Sequence, residues 1–355
     1  MSLPVLSLET KADERPGRRI LLWTSTPAIA RALASDLLEI GFSSFSTDAQ
    51  CVLGVYAEDV EALARALAES VPAEEIQRTK ALVFEGDSPG LSDFSAIETL
   101  EDFIHHHSSR WVFDLIENGR YKSLLQPIVE SDSRRAHGYE FLLRGLDGNG
   151  DIVPPVEMFA AARSKDASAL LDSVARDCAV RTAARFGLAE RLFINVLPAS
   201  VSIGHSAFTD TLDLVESLGI PPEQVVFEIV ESEAVDDIAQ LAEVIDFCRS
   251  AGYRIALDDF GSGFSNVNML IGVSPDYIKL DKSLVSRVAT EPPIWTITAN
   301  LIDAAKQSNV LVIAEGVEDE KTARLLNALG ADFLQGFHLG RPGDCPIQDC
   351  PILGN

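Results

Sequence analysis

Between residues 18 and 90 the chain alternates short apolar runs with longer amphipathic ones. RRILLW, CVLGVYA and ALVFEGD have the length and composition of strands. TPAIARALASDLLEIGF and DVEALARALAESV instead repeat apolar residues every three to four positions, as helices do. Thr26 stands where a helix start belongs. This β–α–β–α–β order predicts a small α/β regulatory domain over 18–90, after a polar, flexible segment at 1–17. The Gly/Pro/Ser/Asp loop GDSPGLSD (86–93) marks a boundary. IETLEDFIHHHSSRWVFDLIENG then has helical periodicity and ends at Gly119, which predicts a linker helix within 91–119.

From residue 120 one pattern repeats. Apolar runs occur at LLQPIV, HGYEFLL, RLFINV, QVVFEI, RIALDD, DYIKLD, VLVIAEG and DFLQG, most of them separated by helical patterns such as DDIAQLAEVIDFCRSAG and EDEKTARLLNALG. Eight strands with intervening helices over 120–343 predict an α/β fold, a (β/α)8 TIM-like barrel, with a tail at 344–355. Only ESDSRRA separates the first two strands, too short for a parallel crossover, so the first strand is expected to run antiparallel to the second.

Composition adds limits rather than detail. The 355 residues are 46% hydrophobic and 23% charged, enough for a large core. No apolar run approaches the roughly 18–20 residues that span a bilayer. The opening MSLPVLSLETKADE is too polar and acidic for a signal peptide. The expectation is a cytoplasmic protein without membrane insertion. A net charge of −25, spread along the chain, makes nucleic-acid polymers and anionic membranes poor partners. A small anionic ligand stays open if cations neutralise its site. Cys178 and Cys248 fall in helical apolar patterns as core residues, and Cys345 and Cys350 lie in the tail without evident metal partners, so a reduced protein is expected. His105, His106 and His107 are adjacent on a helical pattern, where neighbours point about 100° apart and cannot share one metal. A surface role suits them.

Polar residues in the barrel region cluster at strand ends. The second strand carries Glu140, the third Asn195, the fourth Glu228 and the fifth Asp258 with Asp259. Lys279 and Asp281 follow on the sixth, Glu315 on the seventh and Gln335 on the eighth. In a barrel these C-terminal ends meet at one rim, where such folds place their chemistry. Carboxylates crowded there repel each other unless cations neutralise them. An oxygen-rich set without His or Cys favours Mg²⁺ or Mn²⁺. The adjacent Asp258 and Asp259 fit a bridging ligand and its neighbour in a two-metal site, which activates water and stabilises both oxygens of a phosphoryl transfer. The DFG triplet at 259–261 is not a kinase signal, because the glycine-rich ATP loop and HRD loop are absent.

In the N-terminal part, 18–90 is somewhat similar to a receiver domain, in degenerate form: no acidic pair follows the first strand and no phosphate-accepting Asp stands out. The barrel region carries a more specific likeness. YEFLLRG (139–145), FINVLP (193–198), FEIVES (227–232), ALDDFGSGFSN (256–266), YIKLDKSLV (277–285), VIAEGVED (312–319) and LQGFHLGRP (334–342) together resemble the ordered signatures of EAL-domain cyclic di-GMP phosphodiesterases.

That resemblance implies a hydrolase opening cyclic di-GMP to linear pGpG with two Mg²⁺ or Mn²⁺ ions per site. By motif position Glu140, Asn195, Glu228 and Asp258 correspond to ligands of one ion, and Asp258, Asp259 and Glu315 to ligands of the other. Glu315 also corresponds to a base and Lys279 to the lysine that holds the attacking water. Arg144, Gln335 and Asp281 go with substrate binding, and Glu231 with a glutamate that anchors the DFGSGFSN loop. The likeness further implies a homodimer formed through the barrel, and leaves room for a protein partner of the N-terminal domain. The signature alanine is Phe141 here, expected to point away from the site into outer packing, and Ser262 keeps the hydroxyl of the more usual threonine. An active phosphodiesterase is the first reading; a cyclic di-GMP receptor that does not cleave is the alternative.

Overall fold

The computed structural model describes residues 18–347, except 46, 48, 87, 109, 163–164, 231–237 and 262–272. The chain divides into two units, one reaching Asp114 and one starting at Leu115, with Ala160–Ser164 grouped with the first. The first holds a five-stranded sheet of β1 (Arg18–Trp23), β2 (Ser43–Phe45), β3 (Val52–Ala57), β4 (Lys80–Phe84) and β5 (Glu98–Thr99), ordered β2-β3-β1-β4-β5. Alternation sorts β1 between two layers. Ile20 and Leu22 pack with Leu33, Leu37, Leu63 and Leu67 of helices Pro27–Glu39 and Val60–Ser70, while Leu21 joins Val52, Leu82 and Phe84. Both helices begin as their sequences dictate. Thr26 Oγ1 accepts from Ile29 N at 3.3 Å, and Asp59 Oδ1 accepts from Glu61 N at 2.9 Å and Ala62 N at 3.1 Å.

The small α/β unit is therefore present, but the expected likeness to a receiver needs correction. A receiver sheet is parallel and doubly wound; here β1 lies antiparallel to both β3 and β4. The cause is β2, three residues hidden in a polar stretch, which pairs antiparallel with β3 and turns the chain back before β3 reaches β1. The result is a split β–α–β arrangement, with β3 inserted between β1 and β2. Beyond it, the stretch expected to form one connecting helix contains β5 and two helices, Leu100–Ser108 and Arg110–Glu117. Leu100 and Phe103 join the first unit's core. His106 Nδ1 sits 2.6 Å from Glu98 Oε2, and the His107 ring packs on Phe103.

The second unit is the barrel. Its strands are β6 (Tyr121–Glu130), β7 (Ala136–Leu146), β9 (Arg191–Val196), β10 (Val225–Val230), β11 (Arg254–Phe260), β12 (Tyr277–Leu280), β13 (Leu311–Ala314) and β14 (Phe333–Gln335); short β8 (Ile152–Val153) edges β7. The order β6-β14-β13-β12-β11-β10-β9-β7 closes on itself through β6–β7 pairing. β6 is antiparallel to both neighbours and every other pair in the ring is parallel, as the short ESDSRRA loop requires. Outward side chains, Phe141 among them, form the large layer between strands and helices. Inward, Ile128, Phe193, Val226, Ala256, Tyr277, Ile313 and Phe333 fill a floor across the barrel. Below it His137 stacks on Phe333 with ring centroids 3.9 Å apart, and burial pushes its pKa down to about 4.

Directly after β14 the chain leaves no room for a side chain at Gly336. A β-carbon there would sit 2.1 Å from Val317 O and 2.3 Å from Val317 N, both backbone atoms that cannot swing aside. Gly336→Ala should lower stability by roughly 2 kcal/mol or more, read as a lower midpoint in urea unfolding; an unchanged midpoint would contradict this close approach.

Candidate active site

The floor residues fix what lies above them, because side chains two apart on a strand share a face. Two positions beyond Phe193, Val226, Ala256, Tyr277, Ile313 and Phe333 stand Asn195, Glu228, Asp258, Lys279, Glu315 and Gln335. Glu140 follows Gly138 on β7 in the same way. β6 runs in reverse, so its inward polar residue precedes the apolar one: Gln126 comes two before Ile128 and pairs across the ladder with Glu140. An open cavity of about 240 Å³ lies over this polar layer. Gln126, Glu140, Asp258, Lys279, Glu315 and Gln335 line it, together with the more exposed Lys282, Glu318 and Phe337.

Lys279 is the centre. Its Nζ is 2.7 Å from Glu315 Oε1, 2.9 Å from Glu228 Oε1, 3.2 Å from Asp258 Oδ1 and 3.5 Å from Glu140 Oε2, with the side chain 1% exposed. Burial works against its charge, yet Asp258, Glu140, Glu228 and Glu315 outweigh it and hold the ammonium's pKa well above the usual range. One positive charge cannot satisfy so many negatives. Burial pushes Glu228 well above the carboxylate range, more than Lys279 draws it back. Burial, reinforced by Asp258 and Glu140, lifts Glu315 to about 8, and burial with the Asp258 charge raises Asp259. Glu140 is the exception. Burial opposes its charge, but Lys279 and hydrogen bonds from Asn195 Nδ2 (2.9 Å) and Gln335 Nε2 (2.6 Å) keep its pKa low.

The end of β11 is irregular. Its register on β12 shifts between Leu257 and Phe260, and Asp259 takes φ 53°, a left-handed value rare for a non-glycine residue. In a regular strand Asp258 and Asp259 would face opposite sides. The bulge turns Asp259 inward, so that oxygens of Asp258, Asp259 and Glu315 all lie within 4.8 Å of one another. Such strain at a functional site persists only where the surroundings enforce it.

Among the described residues, Glu228 Oε2 and Gln335 Oε1 are buried without a hydrogen-bond donor, and Glu228 Oε1 has only the shared Lys279 ammonium, 2.9 Å away. Buried acceptors are seldom left so. Orphaned hard oxygens beside excess negative charge fit a divalent cation of the Mg²⁺ or Mn²⁺ type.

Eight of the residues singled out from sequence therefore converge: Glu140, Asn195, Glu228, Asp258, Asp259, Lys279, Glu315 and Gln335. Arg144 lies on the same face of β7 four residues past Glu140; its Nη1 donates to Leu143 O at 2.8 Å, and among the described residues no carboxylate pairs with it. Asp281 caps helix Lys282–Val285, its Oδ1 accepting from Ser283 N at 2.9 Å. Glu231 and most of the DFGSGFSN segment fall outside the described residues. Sequence reasoning missed Gln126, whose signal was the reversed order of polar and apolar positions in QPI. It also missed Glu318, whose Oε1 accepts from Lys282 Nζ at 2.6 Å.

With this geometry in place, the comparisons are specific. The EAL domain family model matches residues 109–342, about two thirds of the chain. The chain belongs to the EAL-domain family. Among curated relatives, the probable cyclic di-GMP phosphodiesterase PdeN of Escherichia coli is 30% identical over 254 residues, 68% of this chain and 46% of that protein. Cyclic di-GMP phosphodiesterase PdeF of the same organism is 27% identical over 230 residues, 64% of this chain and 30% of that one. The matches thus span less than half the length of these relatives. A standalone EAL protein of Vibrio cholerae O395, solved in its c-di-GMP bound form, superposes with a TM-score of 0.60 at 29% identity, over 65% of this chain and 96% of that one.

The raised Glu315 sets a stability expectation for the metal-free EAL barrel. Its carboxyl titrates at 4.5 ordinarily and at about 8 in the fold, so the folded state binds that proton more tightly. The stabilisation it carries is complete below 4.5 and fades as pH rises toward 8. Glu315→Gln, which keeps a neutral side chain, should flatten the fall in melting temperature across that window. Equal slopes in chelator-treated wild type and variant would remove the assignment.

Proposed function

We propose that the chain is a divalent-cation-dependent phosphodiesterase that hydrolyses cyclic di-GMP to linear pGpG. The observation that carries this reading is the ring of buried carboxylates that share the single Lys279 ammonium, inside an EAL barrel. The names of PdeN and PdeF and the ligand of the Vibrio cholerae structure support the substrate.

On this reading Glu140, Asn195, Glu228 and Asp258 hold one Mg²⁺ or Mn²⁺ ion, and Asp258, Asp259 and Glu315 hold a second. Such ions supply a lowered water pKa and charge neutralisation at the phosphate. The chain's own residues do the rest. Lys279 orients the attacking water and offsets phosphate charge, Glu315 accepts the water's proton, and the Arg144 fork grips a non-bridging phosphate oxygen pair as lysine could not. Gln335, already oriented by Glu140, borders the water and substrate, with Asp281 at the rim. The family resemblance gives Glu231 the part of anchoring the DFGSGFSN segment. The N-terminal unit, which reaches Asp114, regulates the barrel. We read the assembly as a cytoplasmic homodimer formed through the barrel, its N-terminal unit open to a protein partner. Among the described residues no helix is long and apolar enough to cross a membrane.

The direct test incubates the full chain with cyclic di-GMP and Mn²⁺ and follows pGpG. Product should form, and Asp258→Asn should slow it at least about 100-fold, the equivalent of roughly 3 kcal/mol, in a variant whose circular dichroism shows the fold intact. Ligand binding without pGpG would make the protein a receptor; turnover retained in Asp258→Asn would refute the metal assignment.

A further inference from the structure

A second buried ionic cluster lies outside the barrel wall, on helix Lys165–Phe186. Asp172 and Arg176, one turn apart, are 2% and 1% exposed. Arg176 Nη1 donates to Asp172 Oδ2, which also accepts from Ser200 Oγ. The other guanidinium nitrogens reach Ala207 O (2.6 Å) and Thr211 Oγ1 (3.2 Å) of helix Ser206–Ser217, and Nη1 also reaches Ser200 Oγ at 3.5 Å, so the arginine ties three helices together. The remaining oxygen, Asp172 Oδ1, accepts from Leu197 N at 3.0 Å.

That bond falls at a telling place. Leu197 is the first residue past β9 and the N-cap of helix Pro198–Ile203, and its apolar side chain gives the helix no cap. Asp172, from a neighbouring helix, instead takes the N–H of Leu197 itself, one of the donors that a helix start leaves without an intrahelical partner. Two residues earlier on the same strand is Asn195, whose Nδ2 donates to Glu140 Oε1 and whose other amide atom is an oxygen. Replacing a buried ion pair with apolar residues of like volume is often neutral or stabilising. Stability alone therefore leaves the charges at 172 and 176 unexplained, whereas an acceptor aimed at the end of β9 explains them.

We propose that Asp172 is a positioning residue for Asn195, fixing the end of β9 so that the amide oxygen is presented to a divalent cation. The inference rests on the metal reading of the site given above. Arg176 and Ser200 hold the Asp172 carboxylate in place, and Leu197 transmits its position through two peptide units to Asn195. Outer partners of this kind typically change metal affinity by about 10–100-fold.

The test is Mn²⁺ titration calorimetry on the full chain without nucleotide, with thermal unfolding in parallel. Asp172→Asn should weaken Mn²⁺ binding about 10-fold, and so should Asn195→Ala. The Asp172→Asn/Asn195→Ala pair should bind no more weakly than Asn195→Ala alone, because the first residue acts through the second. Should Asp172→Asn fail to fold with Arg176 left unpaired, Asp172→Leu/Arg176→Met removes both charges and the Leu197 acceptor while leaving no buried ion. It should show the same loss of affinity in a folded protein. Unchanged affinity in the folded variants, or losses that add in the Asn195→Ala background, overturns the inference. Wild type that binds no Mn²⁺ overturns the metal reading and this inference with it, which separates the two failures.

Discussion

A single ammonium buried among four carboxylates is the contact on which the rest of the molecule depends. Lys279 can hold Asp258, Glu140, Glu228 and Glu315 around itself only where water is excluded and every strand is in register. A slip of one residue on any strand would turn its polar group into the outer apolar layer and its neighbour into the ring. The electrostatic centre and the hydrophobic floor therefore enforce each other. The floor sets the height at which the acids meet, and the cost of an unpaired acid penalises every other register.

Much of this was legible in the sequence because of one rule. On seven strands a floor residue, or Gly138 on β7, is followed two positions on by Glu140, Asn195, Glu228, Asp258, Lys279, Glu315 or Gln335, and alternation alone places them together once the strands close. The short loop after β6 likewise dictated its reversed direction. What stayed hidden had no such local signature. Gln126 was overlooked because reversal puts the polar position ahead of the apolar one. β2 escaped because three residues, SSF, carry no periodicity, and that omission is what made the first unit look like a receiver.

Two features could not be read from pattern at all. The inward turn of Asp259 depends on a bulge that breaks the alternation on which pattern reading rests. The Asp172–Arg176 pair reads in sequence as ordinary i,i+4 surface charge; its meaning appears only when helices Lys165–Phe186, Pro198–Ile203 and Ser206–Ser217 are packed against β9. Sequence shows which residues carry chemistry more readily than which ones aim them.

The sealed floor has a consequence of its own. Ile128, Phe193, Tyr277 and Phe333 close the barrel from below, backed by the stacked His137 ring, so the chamber above them is a cul-de-sac. Among the described residues the floor leaves the rim as the approach to the polar layer, so under the reaction proposed above the product must clear the rim before the next nucleotide takes its place.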